Sequence, residues 1–275
     1  MTQPINNLLD RVSKANLAAY DAKGAEVYID GAPHLKHASL RRLYAELLVE
    51  VFEEAKRHSD MPRVLDLGAG EGSVTLPFLE LGAHVTAVDL SCEMLRELQR
   101  KCSKFSDRLT VRSEDIETAL QLIEGPFDIV TANSFLHHVP DYLSMLQSVV
   151  PRLSANGQFF SFQDPLLYES LGPGSRLFDR IAYASWRIGK ADAWGGLWRY
   201  ARRARGILLE DSPHDNAEYH VVRHGVNQNA IQQVFSSLGL SCQIIPYYST
   251  QSQMFQALGS RLGLQNTFAV IATRN

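Results

Sequence analysis

Between Arg63 and Phe162 five short apolar runs, RVLDLG, HVTAVD, LTVRS, FDIVTA and GQFFSF, recur about every 20 residues, with helical stretches between them. This alternation of strand and helix predicts βαβ units. Each run is apolar throughout rather than at every second position, as expected for strands covered on both faces by crossover helices. The reading is therefore an α/β chain built on an open, doubly wound, Rossmann-like parallel sheet. After Phe162 the rhythm breaks for about sixty residues, then resumes with a helix (NQNAIQQVFSSLG) and two more strands (SCQIIPYYS and FAVIATR). The break reads as an insertion that caps the sheet edge; it contains Trp186, Trp194 and Trp198, which are all three tryptophans of the chain.

Ahead of the alternating region, Leu40, Leu43, Tyr44, Leu47, Leu48, Val51, Phe52 and Ala55 follow helical spacing, and a weaker stripe runs from Ile5 to Ala19. The expected organisation is N-terminal lid helices over 1–60, a ligand-binding core over 61–163, a substrate cap over 164–225 and the rest of the core sheet over 226–275. A net charge of -3 over 275 residues gives no electrostatic case for a nucleic-acid partner. Cys92, Cys102 and Cys242 lack the paired spacing of a disulfide framework or a zinc site, which suits a reducing cytoplasm. No apolar run approaches the roughly 20 residues of a membrane span, and the first residues lack the layout of a secretory leader.

The sharpest motif is VLDLGAGEGSVT, Val64 to Thr75. A strand runs into Gly68, Gly70 and Gly72 before a helix begins, so backbone can approach a ligand beside unpaired helix N–H groups. A dinucleotide fingerprint would be GxGxxG; here the spacing is GxGxG, with Ser73 where the third glycine would fall. Asp66, just before the loop, would repel a pyrophosphate and suits the ammonium of an amino-acid moiety. Asp89 ends the second strand, where an acid can accept hydrogen bonds from both ribose hydroxyls. Glu114 and Asp115 follow the third strand, where an adenine amino group could donate; as a helix-starting residue Asp115 also reads as an N-cap.

Taken together, VLDLGAGEG, VTAVDLS, RSEDIE, FDIVTANSFLHHVPD and LSANGQFF resemble the successive motifs of class I S-adenosylmethionine-dependent methyltransferases, in particular the small-molecule group that includes quinone-biosynthesis enzymes. The resemblance implies a seven-stranded sheet with its last strand antiparallel, and S-adenosylmethionine as cofactor. It places the methionine end of that cofactor near Asp66, Gly68, Ala69, Gly70 and Gly72, and the ribose on Asp89 beside Leu90. Adenine falls near Asp115 and Ile116, and the sulfonium near Asn133 and Ser134; apart from the resemblance, Tyr28, upstream of GAPHLKH, is a candidate to close over the cofactor as part of a lid. ANSF differs from the NPPY-type sequence of amino-directed nucleic-acid methyltransferases, which argues against base methylation.

Methyl transfer from a sulfonium is an in-line displacement, so the protein chiefly positions the acceptor and, for a hydroxyl or carbon acid, removes a proton. His137 and His138 are the candidates nearest the sulfonium. Adjacent residues in an extended loop point opposite ways, which argues against a metal pair. In related enzymes the first histidine of such a pair can act as base, oriented by an acid at the end of the fifth strand. Gapless counting puts Gln163 at that acid's position and Asp164 one residue later. His220, in EYHVVRHG beside a short apolar strand, is a further catalytic candidate. GAPHLKH reads as part of the lid, and WRYARRARG as a solvated face or, alternatively, an anion site.

The expected reaction is O-methylation of a small, partly apolar metabolite, with C- or N-methylation as the alternative and a monomer or homodimer as the acting unit. From other classes, an NAD(P)-dependent oxidoreductase and a cofactor-binding regulator without catalysis stay open.

Overall fold

The computed structural model describes residues 11–16, 32–188, 193–203, 205–209, 212, 215 and 219–274. Seven strands form one sheet: β1 (Arg63–Leu67), β2 (His84–Asp89), β3 (Leu109–Ser113), β4 (Phe127–Thr131), β5 (Leu153–Pro165), β6 (Leu240–Tyr247) and β7 (Thr267–Arg274). Their order across the sheet is β3-β2-β1-β4-β5-β7-β6. β1 pairs in parallel with both β2 and β4, whereas β7 runs antiparallel between β5 and β6. The expected seven strands and the reversed last strand are both present.

Residues 11–16 are helical. Ten further helices with defined bounds follow among the described residues: α1 (Pro33–Lys36), α2 (Ala38–Lys56), α3 (Thr75–Leu81), α4 (Cys92–Lys101), α5 (Ile116–Leu122), α6 (Tyr142–Val149), α7 (Pro173–Ile188), α8 (Ala193–Arg203), α9 (Gln228–Ser237) and α10 (Gln253–Arg261). Short polar side chains set the starts of several. Ser91, Asp115, Asp141 and Asn227 each accept a backbone N–H three residues on, as N-caps do.

The central strands are covered on both faces, as their apolar runs require, while β3, at the sheet edge, has no fully buried residue. α2 buries Leu40, Tyr44, Leu47, Leu48, Val51, Phe52 and Ala55 against one face, with Val64, Ile129, Phe160 and Phe162. On the other face α5, α6 and α9 pack over Leu65, Val130, Phe159 and Val270. Phe159 and Phe160 therefore serve opposite layers from adjacent positions of β5. Truncating either fully buried ring to alanine would cost roughly 3–5 kcal/mol. No helix among the described residues is long and apolar enough to cross a membrane.

Because the chain turns from β1 to β2 on one side and reaches β4 on the other, the strand order reverses beside β1. In open α/β sheets the crevice at such a switch point, outside the carboxyl ends of the strands, is where ligands bind.

Candidate active site

Four loops at the carboxyl ends of β1 to β4 enclose a cavity of about 520 Å³, a size suited to a small-molecule ligand. The loop after β1 is tied to β2 by the Gly68 and Ala69 N–H groups, both of which donate to the Val88 carbonyl. Gly68 has φ +72°, and a Cβ there would sit 2.2 Å from Cδ2 of Phe135. Only glycine lets that ring lie across the loop. Gly70 has φ +53°, and a Cβ on it would meet nothing within 4 Å, so the crest of the loop opens onto the cavity.

Asp89, at the end of β2, holds this crest in place. Its Oδ2 accepts the Gly70 N–H at 2.8 Å and its Oδ1 accepts the Ser91 N–H at 2.8 Å. Leu90, Asp115 and Ile116 line the cavity beside it, with Glu114 and Glu117. Asp115 is also the N-cap of α5, accepting from the Thr118 N–H at 2.9 Å, and this bonding holds its carboxyl below the usual carboxylate range despite partial burial. The capping and lining roles therefore coexist in one side chain. Asn133 and Ser134 form the wall after β4. Asn133 Nδ2 donates to Thr131 Oγ1 at 2.8 Å, and its buried Oδ1 has no protein partner.

Asp66, Ala69 and Gly72 are not among the lining residues. Asp66 lies beneath the loop, fully buried, with Oδ2 accepting the Thr75 hydroxyl at 2.6 Å. Burial pushes its carboxyl up to about 7, against the Thr75 bond and with added repulsion from Asp89 and Glu71. Tyr28 lies outside the described residues. Lining residues that the sequence reading did not single out include Val12, Ser13, Lys14 and Asn16 from the N-terminal helical stretch, Ser91, Met94 and Glu117, and Phe135, Val139 and Pro140. Val12 stood out only as part of an apolar stripe, which signals packing rather than ligand contact.

The histidine pair sits in a 3₁₀ turn, Leu136–His138, rather than in an extended loop. The two rings consequently do not point opposite ways: their centroids are 4.1 Å apart. His138 lines the cavity and His137 lies behind it, 5% exposed. Both the main-chain N–H and Nδ1 of His137 donate to Oδ1 of Asp164, at 3.1 and 2.8 Å. With Nδ1 donating, Nε2 is the basic nitrogen of the neutral ring. Asp164 is pushed up by burial and pulled back by these His137 bonds.

Gapless counting misplaced this acid by one residue, and the reason is a β-bulge. Ser161 pairs with Val270 and Asp164 with Phe268, so three steps along β5 match two along β7. The extra residue accommodates Gln163 at φ +72°, with its N–H donating to the Tyr247 hydroxyl at 2.8 Å and Nε2 to Ser249 Oγ at 2.7 Å. Gln163 turns away, and Asp164 takes the position facing His137.

Other expectations need correction. Of EYHVVRHG, the described residues Tyr219 to His224 form a turn with positive φ at His224 and Gly225, and the isolated bridge at Val226 comes after the motif. His220 does not line the cavity. Its Nε2–H donates to the carbonyls of Val139 and Pro140, at 3.0 and 3.2 Å. In WRYARRARG, Arg202 and Arg203 are neither a solvated face nor an anion site, because both grip the buried carboxylate of Asp215. In GAPHLKH, His34 is buried edge-on against Tyr44 and Phe162; burial, with the nearby His137, pushes it down to about 4.

Residues 64–157 match the family described as methyltransferase domain. That segment is a methyltransferase domain. It contains β1 to β4, the glycine loop and the histidine turn, and ends within β5. Over 98 residues the chain is 34% identical to a ubiquinone biosynthesis O-methyltransferase of Xanthomonas campestris, a match covering 36% of this chain and 41% of that enzyme. The chain thus spans under half the length of that curated relative. Among solved structures it is similar to the plantazolicin methyltransferase BamL in complex with a triazolic desmethylPZN analog and SAH, at 11% identity and TM-score 0.56, covering 98% of this chain and 99% of that one. A putative sarcosine dimethylglycine methyltransferase from Galdieria sulphuraria is 15% identical with TM-score 0.54, covering 88% of each chain. These likenesses extend the class I methyltransferase fold beyond the methyltransferase domain to nearly the whole chain.

Proposed function

We propose that the protein is an S-adenosylmethionine-dependent methyltransferase acting on a hydroxyl group of a small, partly apolar acceptor. The observation that carries this reading is the meeting, around one cavity, of an open glycine crest, the Asp89 carboxylate and a histidine turn backed by Asp164. The fit to this cofactor rests on three features. The Gly70 crest leaves backbone exposed to a ligand, Asp89 offers carboxylate oxygens for vicinal hydroxyls, and the buried Asn133 Oδ1 has no protein partner to compete with a donor. Beneath the loop, Asp66 would supply negative potential for an ammonium only once ionised, above about pH 7, and without contact from the wall.

When bound, S-adenosylmethionine supplies an electrophilic methyl group on a sulfonium. Asn133 and Ser134 would hold the reacting end, and Asp89 the ribose. His138 faces the cavity, where it can contact an acceptor, while His137 and Asp164 form the buried pair behind it. A proton leaving the acceptor hydroxyl would pass to this histidine turn. The quinone-pathway relative acts on oxygen by name, and a histidine base serves a hydroxyl acceptor better than an amine, which favours O-methylation over its alternatives.

Calorimetry with S-adenosylhomocysteine and with NADH tests the reading. The expected result is binding of the nucleoside thioether alone, with the affinity lowered at least about tenfold by Asp89→Ala, equivalent to about 1.4 kcal/mol. Tight NADH binding without S-adenosylhomocysteine binding would sink it.

A further inference from the structure

The segment that returns from the helices after β5 bonds to His137 on one side and to Pro165, the neighbour of Asp164, on the other. On one side the His220 N–H donates to the His137 carbonyl at 2.8 Å, while His220 Nε2–H bridges the carbonyls of Val139 and Pro140. On the other side, the Val226 N–H donates to the carbonyl of Pro165, next to Asp164, at 2.9 Å, and the His224 carbonyl accepts from the Tyr168 N–H at 2.7 Å. The stretch from His220 to Val226 is thus a splint laid across the two loops that must stay in register for the imidazole and the carboxylate to meet.

The splint is anchored at each end. Its Arg223 donates to the Asp215 carbonyl at 2.7 Å, and the Asp215 carboxylate is gripped by Arg202 and Arg203 of α8. Downstream, the Asn227 N–H donates to the Tyr142 hydroxyl at 3.0 Å, and the Tyr142 ring stands edge-on to His220 at 4.9 Å. Two carbonyls can only accept, so the His220 ring must carry its proton on Nε2. Burial keeps this imidazole below its ordinary pKa, and the neutral ring retains that proton.

We propose that His220 is a positioning residue, whose Nε2–H and main-chain N–H hold the turn carrying His137 and His138 against Asp164. Through it the inserted helices reach the reacting centre, although none of their described residues lines the cavity. The inference rests on the methyl-transfer reading only for its rate measurement.

Two variants separate the donor from the ring. His220→Phe keeps an aromatic edge against Tyr142 and removes the side-chain donor; His220→Gln restores an N–H at similar reach. Hydrogen exchange at the Val139 amide, which closes the 3₁₀ turn onto Leu136, should quicken about tenfold in the Phe variant, the scale of one hydrogen bond's net contribution. In the Gln variant it should return close to wild type. With catechol as the acceptor probe, the Phe variant should lose a similar factor in kcat while KM and S-adenosylhomocysteine affinity hold, and the Gln variant should recover. Wild-type exchange in the Phe variant, or equal impairment of both variants, would overturn the proposal. Exchange needs no turnover, so a protein that binds no S-adenosylhomocysteine and methylates nothing would defeat the methyl-transfer reading alone.

Discussion

One carboxylate oxygen, Oδ1 of Asp164, accepts two hydrogen bonds from His137, one from the main-chain N–H and one from the ring. The arrangement fixes the ring's tautomer and its position with a single acid. Asp164→Ala and His137→Ala should each lower kcat by about 10²- to 10⁴-fold, the usual range for losing assisted proton transfer, because the pair backs the cavity-facing His138. The double variant should be little worse than either single one, because the two residues act as a unit. S-adenosylhomocysteine affinity, measured by calorimetry, should change less than about twofold in all three. Additive losses in the double variant would separate the residues' roles.

The two cavity-facing glycines should fail in different ways. Gly68→Ala drives a methyl group into the Phe135 ring and strains a positive φ, so the fold itself is destabilised, by about 1–3 kcal/mol. Adding Phe135→Ala should relieve the clash and recover part of the urea midpoint. Gly70→Ala meets no protein atom and should cost roughly 1 kcal/mol in stability from its φ alone. Its larger effect should fall on S-adenosylhomocysteine binding; a Gly70 variant with intact affinity would show that no ligand approaches the crest.

Asp66 makes stability fall as pH rises. Its carboxyl is pushed up to about 7 in the folded protein, against about 3.9 in an unfolded chain. Between those values the native state keeps a proton that the unfolded state has lost, so its stabilising share is present below about pH 4 and is gone above about pH 7. Asp66→Asn can accept from Thr75 and cannot ionise. Its urea midpoint should exceed that of wild type at about pH 8 and converge with it toward about pH 4.

His34 acts in the opposite sense. Burial pushes it down to about 4, against about 6.5 unfolded, so the unfolded chain takes up a proton first as the solution is acidified. Stability from this residue is complete above about pH 6.5 and is lost as pH falls toward 4. His34→Phe keeps ring contacts with Tyr44 and Phe162 and removes the titration. Thermal unfolding of this variant should show a shallower acid slope than wild type; an unchanged slope would assign the acid sensitivity to other groups.

What could be read from the residues alone follows how local each signal is. Apolar runs need no partner to be recognised, so β1 to β5 and their direction were legible, although β3 proves only partly buried. The glycine loop was legible because its backbone requirement is written in three residues, and Asp89 because it ends a strand. The partner of His137 was legible only as Gln163 or Asp164, since the bulge in β5 that chooses between them depends on β7, more than a hundred residues later. EYHVVRHG looked like a strand because Val221 and Val222 are β-formers, whereas His224 and Gly225 bend the chain under tertiary constraint. The arginines of WRYARRARG carried no sign of Asp215, twelve or thirteen positions on, to which two of them are bound.

The bulge at Gln163 has an evolutionary corollary. One inserted or deleted residue at the tip of β5 decides whether an amide or a carboxylate stands before His137, while the pairing of Gln158 to Ser161 with β7 is untouched. Proton chemistry in this architecture can therefore be gained or lost by a change of length at a single point, with no substitution among the reacting groups. Two chains aligned without gaps through this strand would be assigned opposite chemistries, and only the hand of the local backbone would tell them apart.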